Sequence, residues 1–123
     1  MRILVVDDEP KILRFVRLML HTFGFEVLLA SGGEQALKMA EEEHPDLMIL
    51  DIFMPDPDGF EVLRRRRSLE EKTACAQLPI IAFSAHNSIA GQALELGAND
   101  FIGKPFLPEE LARKVKGLVG GAK

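Results

Sequence analysis

Five short apolar runs, each followed by a longer stretch with apolar residues at helical spacing, constrain this chain more than any other feature. The runs are Ile3 to Val6, Glu26 to Leu29, Leu47 to Leu50, Ile80 to Phe83 and Asp100 to Ile102. The last is the weakest by composition and is assigned from its place in the series. Five repeats of strand then helix specify an α/β fold, a mostly parallel sheet covered by helices on both faces. The near-continuous apolar strands agree, because such strands are buried on both sides. At 123 residues the chain is read as one domain, 1–123, long enough to bury a proper core.

The intervening stretches carry helix signals. Ile12, Phe15, Val16, Met19, Leu20 and Phe23 recur as one apolar face. Pro10 stands in the first turn, where no backbone donor is needed, and Gly24 ends the helix. Ser31-Gly32-Gly33-Glu34 fits a capping box that opens a second helix through Ala36, Leu37 and Ala40. Gly59 precedes a third helix with Phe60, Val62 and Leu63. A fourth holds Ala90, Ala93 and Leu94 and stops at Gly97. Pro108 opens a fifth, whose Leu111, Val115 and Leu118 share a face. No linker, repeat or low-complexity segment interrupts the series, which runs out at Gly120-Gly121-Ala122-Lys123.

Charge and composition narrow the function. A net charge of −4 argues against nucleic-acid binding by electrostatics. No apolar stretch is long enough to cross a bilayer, and no signal peptide is visible before the first acidic pair. One cysteine, Cys75, cannot form an internal disulfide, which points to the cytoplasm.

Charged residues stand where strands end. Asp7 and Asp8 follow the first run, Asp51 follows the third, and Lys104 follows Phe101-Ile102 and precedes Pro105. In an open α/β sheet, ligands bind at the carboxyl ends of parallel strands, so these side chains should converge. With strand order 2-1-3-4-5, Asp8 and Asp51 lie on adjacent strands. Clustered carboxylates repel, and one keeps its proton unless a cation neutralises them. Mg²⁺ suits such a site, taking one or two carboxylates along with phosphate oxygens. A carboxylate can also attack phosphorus to form an aspartyl phosphate, with metal and ammonium sharing the charge.

The order Asp7-Asp8, Asp51-x-x-Met54-Pro55 with Asp58-Gly59, Ser84-Ala85 and Lys104-Pro105 resembles the receiver domain of bacterial two-component response regulators, over essentially the whole chain. The resemblance implies a flavodoxin-like (βα)5 fold of order 2-1-3-4-5. It implies that Asp51 accepts a phosphoryl group from the phosphohistidine of a sensor histidine kinase or phosphotransfer protein. Asp8 would ligate Mg²⁺ directly and Asp7 mainly through water, with Asp51 and the backbone carbonyl of Phe53 as further ligands. Lys104 would pair with the phosphoryl oxygens, and Ser84 would offer its hydroxyl to them. Phe101 falls at the aromatic switch position and would turn inward as Ser84 moves, altering the face of helix 4, strand 5 and helix 5. Phe53 and His86 fall where the family tunes the lifetime of the phosphoryl group. Relative to the commonest pattern, Ser84 to Gly97 is slightly shorter and Arg64 to Gln77 slightly longer. Phe101 lacks a hydroxyl, so its inward turn would gain burial but no hydrogen bond.

Blander readings compete at single positions. Asp8 could cap the helix that begins near Pro10. Asp56 and Asp58 read as turn residues. Arg64-Arg65-Arg66-Arg67 points around the whole helix and forms no basic stripe, which reads as a solvated helix end. His21 and His44 read as surface or helix-end residues, and Cys75 as a bystander. Other functions compete too. A Mg²⁺-dependent phosphatase or phosphotransferase would place a second acid where Phe53 stands. A flavin-binding module would want a hydroxyl- and glycine-rich loop after the first strand, and a degenerate receiver would lack part of the set. The expectation is a phosphorylation-controlled switch, not a turnover enzyme. Its docking face would involve Ala90, Leu94, Phe101 and Leu111, would engage an output partner or domain, and could mediate dimerisation once phosphorylated.

Overall fold

The computed structural model describes residues 1–120; the tail Gly121 to Lys123, part of the expected 1–123 domain, lies outside the described residues. Five strands alternate with five helices: β1 (Arg2–Val6), α1 (Pro10–Thr22), β2 (Glu26–Ala30), α2 (Gly33–Glu43), β3 (Leu47–Asp51), α3 (Gly59–Thr73), β4 (Ile80–Ser84), α4 (Ala90–Glu95), β5 (Asp100–Gly103) and α5 (Pro108–Val115). A 3₁₀ turn, Asn87–Ile89, leads into α4, and wider π-type turns, Lys116–Gly120, follow α5. All pairings are parallel, in the order β2-β1-β3-β4-β5.

Alternation along the strands divides the core into two layers. Leu4, Val6, Met48, Leu50, Ile80 and Ala82 face α2, α3 and α4, meeting Ala36, Ala40, Val62, Leu63 and Ala93. Ile3, Val5, Leu47, Ile49, Ile81 and Phe83 face α1 and α5, meeting Leu13, Val16, Leu20, Leu111 and Val115. Complete burial of each large aliphatic side chain contributes roughly 1.5–3 kcal/mol. This is why the strands are apolar at nearly every position.

Details of the helices differ from the sequence reading. The buried stripe of α1 is Leu13, Val16, Met19 and Leu20, while Phe15 is half exposed. Apolar residues cover more than half the circumference of α1, so spacing alone does not fix which of them face the sheet. The expected capping box at Ser31 is displaced by one residue. Gly32 is the N-cap, and the Ser31 N–H and hydroxyl both donate to Gln35 Oε1, at 2.8 and 3.1 Å, leaving Glu34 out. At α3, Asp58 caps the helix by accepting the Glu61 N–H at 2.9 Å. Gly59 follows because any side chain there would collide with the backbone of Asp51 and Ile52. His44 ends α2 in the left-handed conformation, as a helix-end residue.

The arginine run is not a solvated helix end. Arg64 is 61% exposed, but Arg66 and Arg67 are only 11% and 13% exposed and pair with the buried Glu70 at 2.9 and 2.8 Å. Arg67 also donates to the Gly97 carbonyl, from Nε at 3.0 Å and Nη2 at 2.9 Å, and to Asn99 Oδ1 at 3.0 Å. It thereby ties the middle of α3 to the turn between α4 and β5. Leu111 is fully buried and therefore does not belong to the expected docking face; Leu94 is exposed there, with Ala90 and Phe101 half-buried.

Candidate functional site

Register brings the charged residues together. β1 pairs with β3 through Val6 and Leu50, so the next residues, Asp7 and Asp51, emerge side by side. β4 pairs with β5 through Ser84 and Gly103, which places Lys104 one residue beyond the sheet edge. Its ammonium bridges Asp7 Oδ2 at 3.1 Å and Asp51 Oδ1 at 3.2 Å. Carboxylate oxygens of Asp7, Asp8 and Asp51 all lie within 4.8 Å of one another.

Asp7 and Asp51 are buried and Asp8 is exposed. The pairing of Lys104 with Asp7 and Asp51 leaves Asp8 at the open rim. Asp8 does not cap α1, whose N-cap is Glu9 without a side-chain bond. Local satisfaction comes instead from Asp7, whose Oδ1 accepts the Glu9 N–H at 3.0 Å.

Three carboxylates against one ammonium leave an excess of negative charge. Burial, and then the Asp7 carboxylate, push the Asp51 carboxyl up from 3.8 to about 7, against the attraction and hydrogen bond of Lys104. An unmet demand for positive charge is what this donor set expresses. The all-oxygen chemistry fits a hard divalent cation such as Mg²⁺.

The carboxylates open into a cleft of about 410 Å³ lined by Asp8, Glu9, Asp51, Phe53, Ser84, Ala85, His86 and Lys104. Ser84 is buried, and its Oγ accepts the His86 N–H at 3.0 Å, which leaves the hydroxyl proton free for another acceptor. Phe53 is half exposed and stands edge-to-face on His86, with ring centroids 5.1 Å apart, and on Phe60 at 6.4 Å. Phe101, two residues before Gly103, is half-buried against the α2–α4 layer and borders a separate surface cavity with Asn87, Ala90 and Glu110. His21 and Cys75 lie on the surface, away from the cleft lining.

Two participants were not legible beforehand. Glu9 supplies the amide that holds Asp7. Phe83 lies beneath Lys104, whose Nζ is 4.5 Å from the ring centroid. The only sequence signal for Phe83 is that it directly precedes Ser84.

Comparison with known proteins agrees with this geometry. Residues 3–116 match the model of the response regulator receiver domain. The chain is 40% identical over 120 residues to the alkaline phosphatase synthesis transcriptional regulatory protein PhoP of Bacillus subtilis, covering 96% of this chain and 48% of that one. It spans about half the length of the curated relatives it matches. Among solved structures, the Francisella response regulator 1452 receiver domain superposes with a TM-score of 0.88 at 28% identity, over 99% of this chain and 98% of that one. The receiver domain of the sensor histidine kinase PA1611 of Pseudomonas aeruginosa superposes at 0.84 with 34% identity, over 97% of both chains, and carries a magnesium ion coordinated in its active site cleft. The chain belongs to the response regulator receiver family and is a receiver domain of two-component signalling.

Proposed function

We propose that Asp51 is the phosphoacceptor and that residues 1–123 form one switching unit around it. The observation that carries this reading is the Lys104 ammonium bridging the buried Asp7 and Asp51 beside the cleft. In the reaction, an Asp51 carboxylate oxygen bonds to the phosphorus of a phosphohistidine on a sensor kinase or phosphotransfer protein. The P–N bond breaks, and its electron pair returns to the imidazole. Lys104 compensates the charge on the phosphoryl oxygens, and the Ser84 hydroxyl donates to them. Asp7, Asp8, Asp51 and the Phe53 carbonyl would hold Mg²⁺, with Asp8 direct and Asp7 mainly through water. When bound, the cation supplies the positive charge that this acid-rich set lacks.

The product is a modified protein, so the domain acts as a switch and not as a turnover enzyme. Movement of Ser84 toward the phosphoryl group vacates space for Phe101 to turn inward, changing the surface of α4, β5 and α5. That surface would engage an output partner, a further domain, or a second copy of the chain. Among the described residues no helix is long and apolar enough to cross a membrane, and we place the domain in the cytoplasm with its kinase's catalytic part.

Intact mass after incubation with acetyl phosphate and Mg²⁺ tests the assignment. One added phosphoryl group is expected, absent in Asp51→Asn and without metal; retention in Asp51→Asn would overturn it. Phe53 and His86 flank the cleft as a joined aromatic pair, and we propose that they restrict water. Phe53→Asn is expected to shorten the phosphorylated lifetime by roughly tenfold, about 1.4 kcal/mol in barrier. An unchanged dephosphorylation rate would refute that role.

A further inference from the structure

We propose that Phe83 is a positioning residue for Lys104, its ring face holding the ammonium in the reactive position; this rests on the role for Lys104 proposed above. Lysine is a flexible point charge with four rotatable bonds, so its location must be fixed by what it touches. Three groups do so here: Asp7 Oδ2, Asp51 Oδ1 and the Phe83 ring, whose centroid is 4.5 Å from Nζ. A cation at that distance over an aromatic face is attracted by the ring quadrupole, more strongly where water is scarce.

The three contacts differ in permanence. Both carboxylates must also serve a divalent cation and an incoming phosphoryl group, and either weakens their hold on the ammonium. The ring binds neither, so its attraction persists throughout. Phe83 is itself immobile: it is fully buried, pairs in the sheet with Asp51 and Ile102, and meets the Phe106 ring edge-to-face at 6.3 Å. A rigid strand therefore places the ring, and the ring places the ammonium. An aliphatic residue would fill the same volume in the α1–α5 layer, but without a face for the cation.

Graded fluorination separates the ring's electrostatics from its packing. Phe83 is replaced by mono-, di- and trifluorinated phenylalanines, which keep the shape while draining the ring face. The phosphorylation rate with phosphoramidate at saturating Mg²⁺ is expected to fall stepwise, by roughly three- to tenfold across the series, with Mg²⁺ affinity within about twofold of wild type. Phe83→Leu is expected to lose a similar factor. In resting protein the Lys104 Hε resonances should be shifted upfield by the ring current and return to ordinary positions in Phe83→Leu. A rate indifferent to fluorination, or a parallel loss of Mg²⁺ affinity, would overturn the proposal. Failure of the unsubstituted protein to take up a phosphoryl group would instead sink the functional reading. In that event unshifted Lys104 Hε resonances would also overturn Phe83 as the support of the ammonium, and shifted ones would uphold it.

Discussion

The charge clusters around Glu70 and around Asp51 resolve the same electrostatic problem in opposite ways. At the end of α3, one carboxylate, Glu70, meets Arg66 and Arg67 and also accepts the Leu78 N–H at 2.9 Å. Burial pushes the Glu70 carboxyl up, but the Leu78 amide and then the two arginines outweigh it, and its pKa lies below the ordinary 4.5. At the carboxyl edge of the sheet, three carboxylates cluster beside one ammonium, which pairs with Asp7 and Asp51 alone, and Asp51 rises to about 7. The first cluster is satisfied by the chain itself and holds α3 to the α4–β5 turn. The second is left short of positive charge, a deficit relieved by a proton on Asp51 or by a bound cation. Burial alone thus does not separate structural from functional charge; the balance of partners does.

The largest expected effect strikes the satisfied cluster. Glu70→Gln would leave two largely buried guanidinium groups without their counter-charge and should cost about 3 kcal/mol, read from urea unfolding. A loss near zero would mean that the cluster behaves as a surface pair.

The deficient cluster should respond with the opposite sign. A carboxyl whose pKa is raised by folding binds its proton more tightly in the native state, so stability falls as pH rises from 3.8 through about 7. Metal-free protein should therefore be less stable at pH 8 than at pH 5, and Asp51→Asn should recover about 2 kcal/mol at pH 8. Mg²⁺ at ten times its pH 8 dissociation constant should add about 1.4 kcal/mol to the unsubstituted protein at pH 8, and less at pH 5 where Asp51 holds its proton. Thermal unfolding with and without chelator measures all three; a metal-free protein whose stability rises steadily to pH 8 would contradict the comparison. Glu70 acts the other way, contributing stability that is lost as pH falls through its depressed pKa.

The smallest effect is reserved for the exposed part of the arginine run. Arg64→Ala removes a pairing with Glu61 in solvent and should leave the urea midpoint unresolved from wild type. A measurable loss would place Arg64 inside the Glu70 cluster's cooperative unit.

Much of the site was readable because its residues sit at strand ends. Once Val6, Leu50 and Ile102 are read as the last residues of their apolar runs, parallel pairing carries Asp7, Asp51 and Lys104 to one edge whatever the helices do. Other features depend on rotation about an element's axis, which a surplus of apolar or charged residues does not specify. Phe15 was expected inside and lies half exposed, Leu13 took its place, and Leu111, counted in the neighbourhood of the docking face, is buried. The arginine run shows the same limit, since four successive side chains point four ways and only packing against Gly97 and Asn99 decides which are covered.

By itself, the sequence determined the alternation of strand and helix, the parallel sheet and the acids at its edge, because period and burial on both faces admit few other arrangements. Tertiary structure alone decided which partners each charge received. Asp7 rather than Asp8 meets Lys104, Phe83 supports its ammonium, and Glu70 finds its arginines. Those choices rest on distances of a few ångströms between residues far apart in the chain, and electrostatic energies at such range are set by geometry that no local pattern encodes.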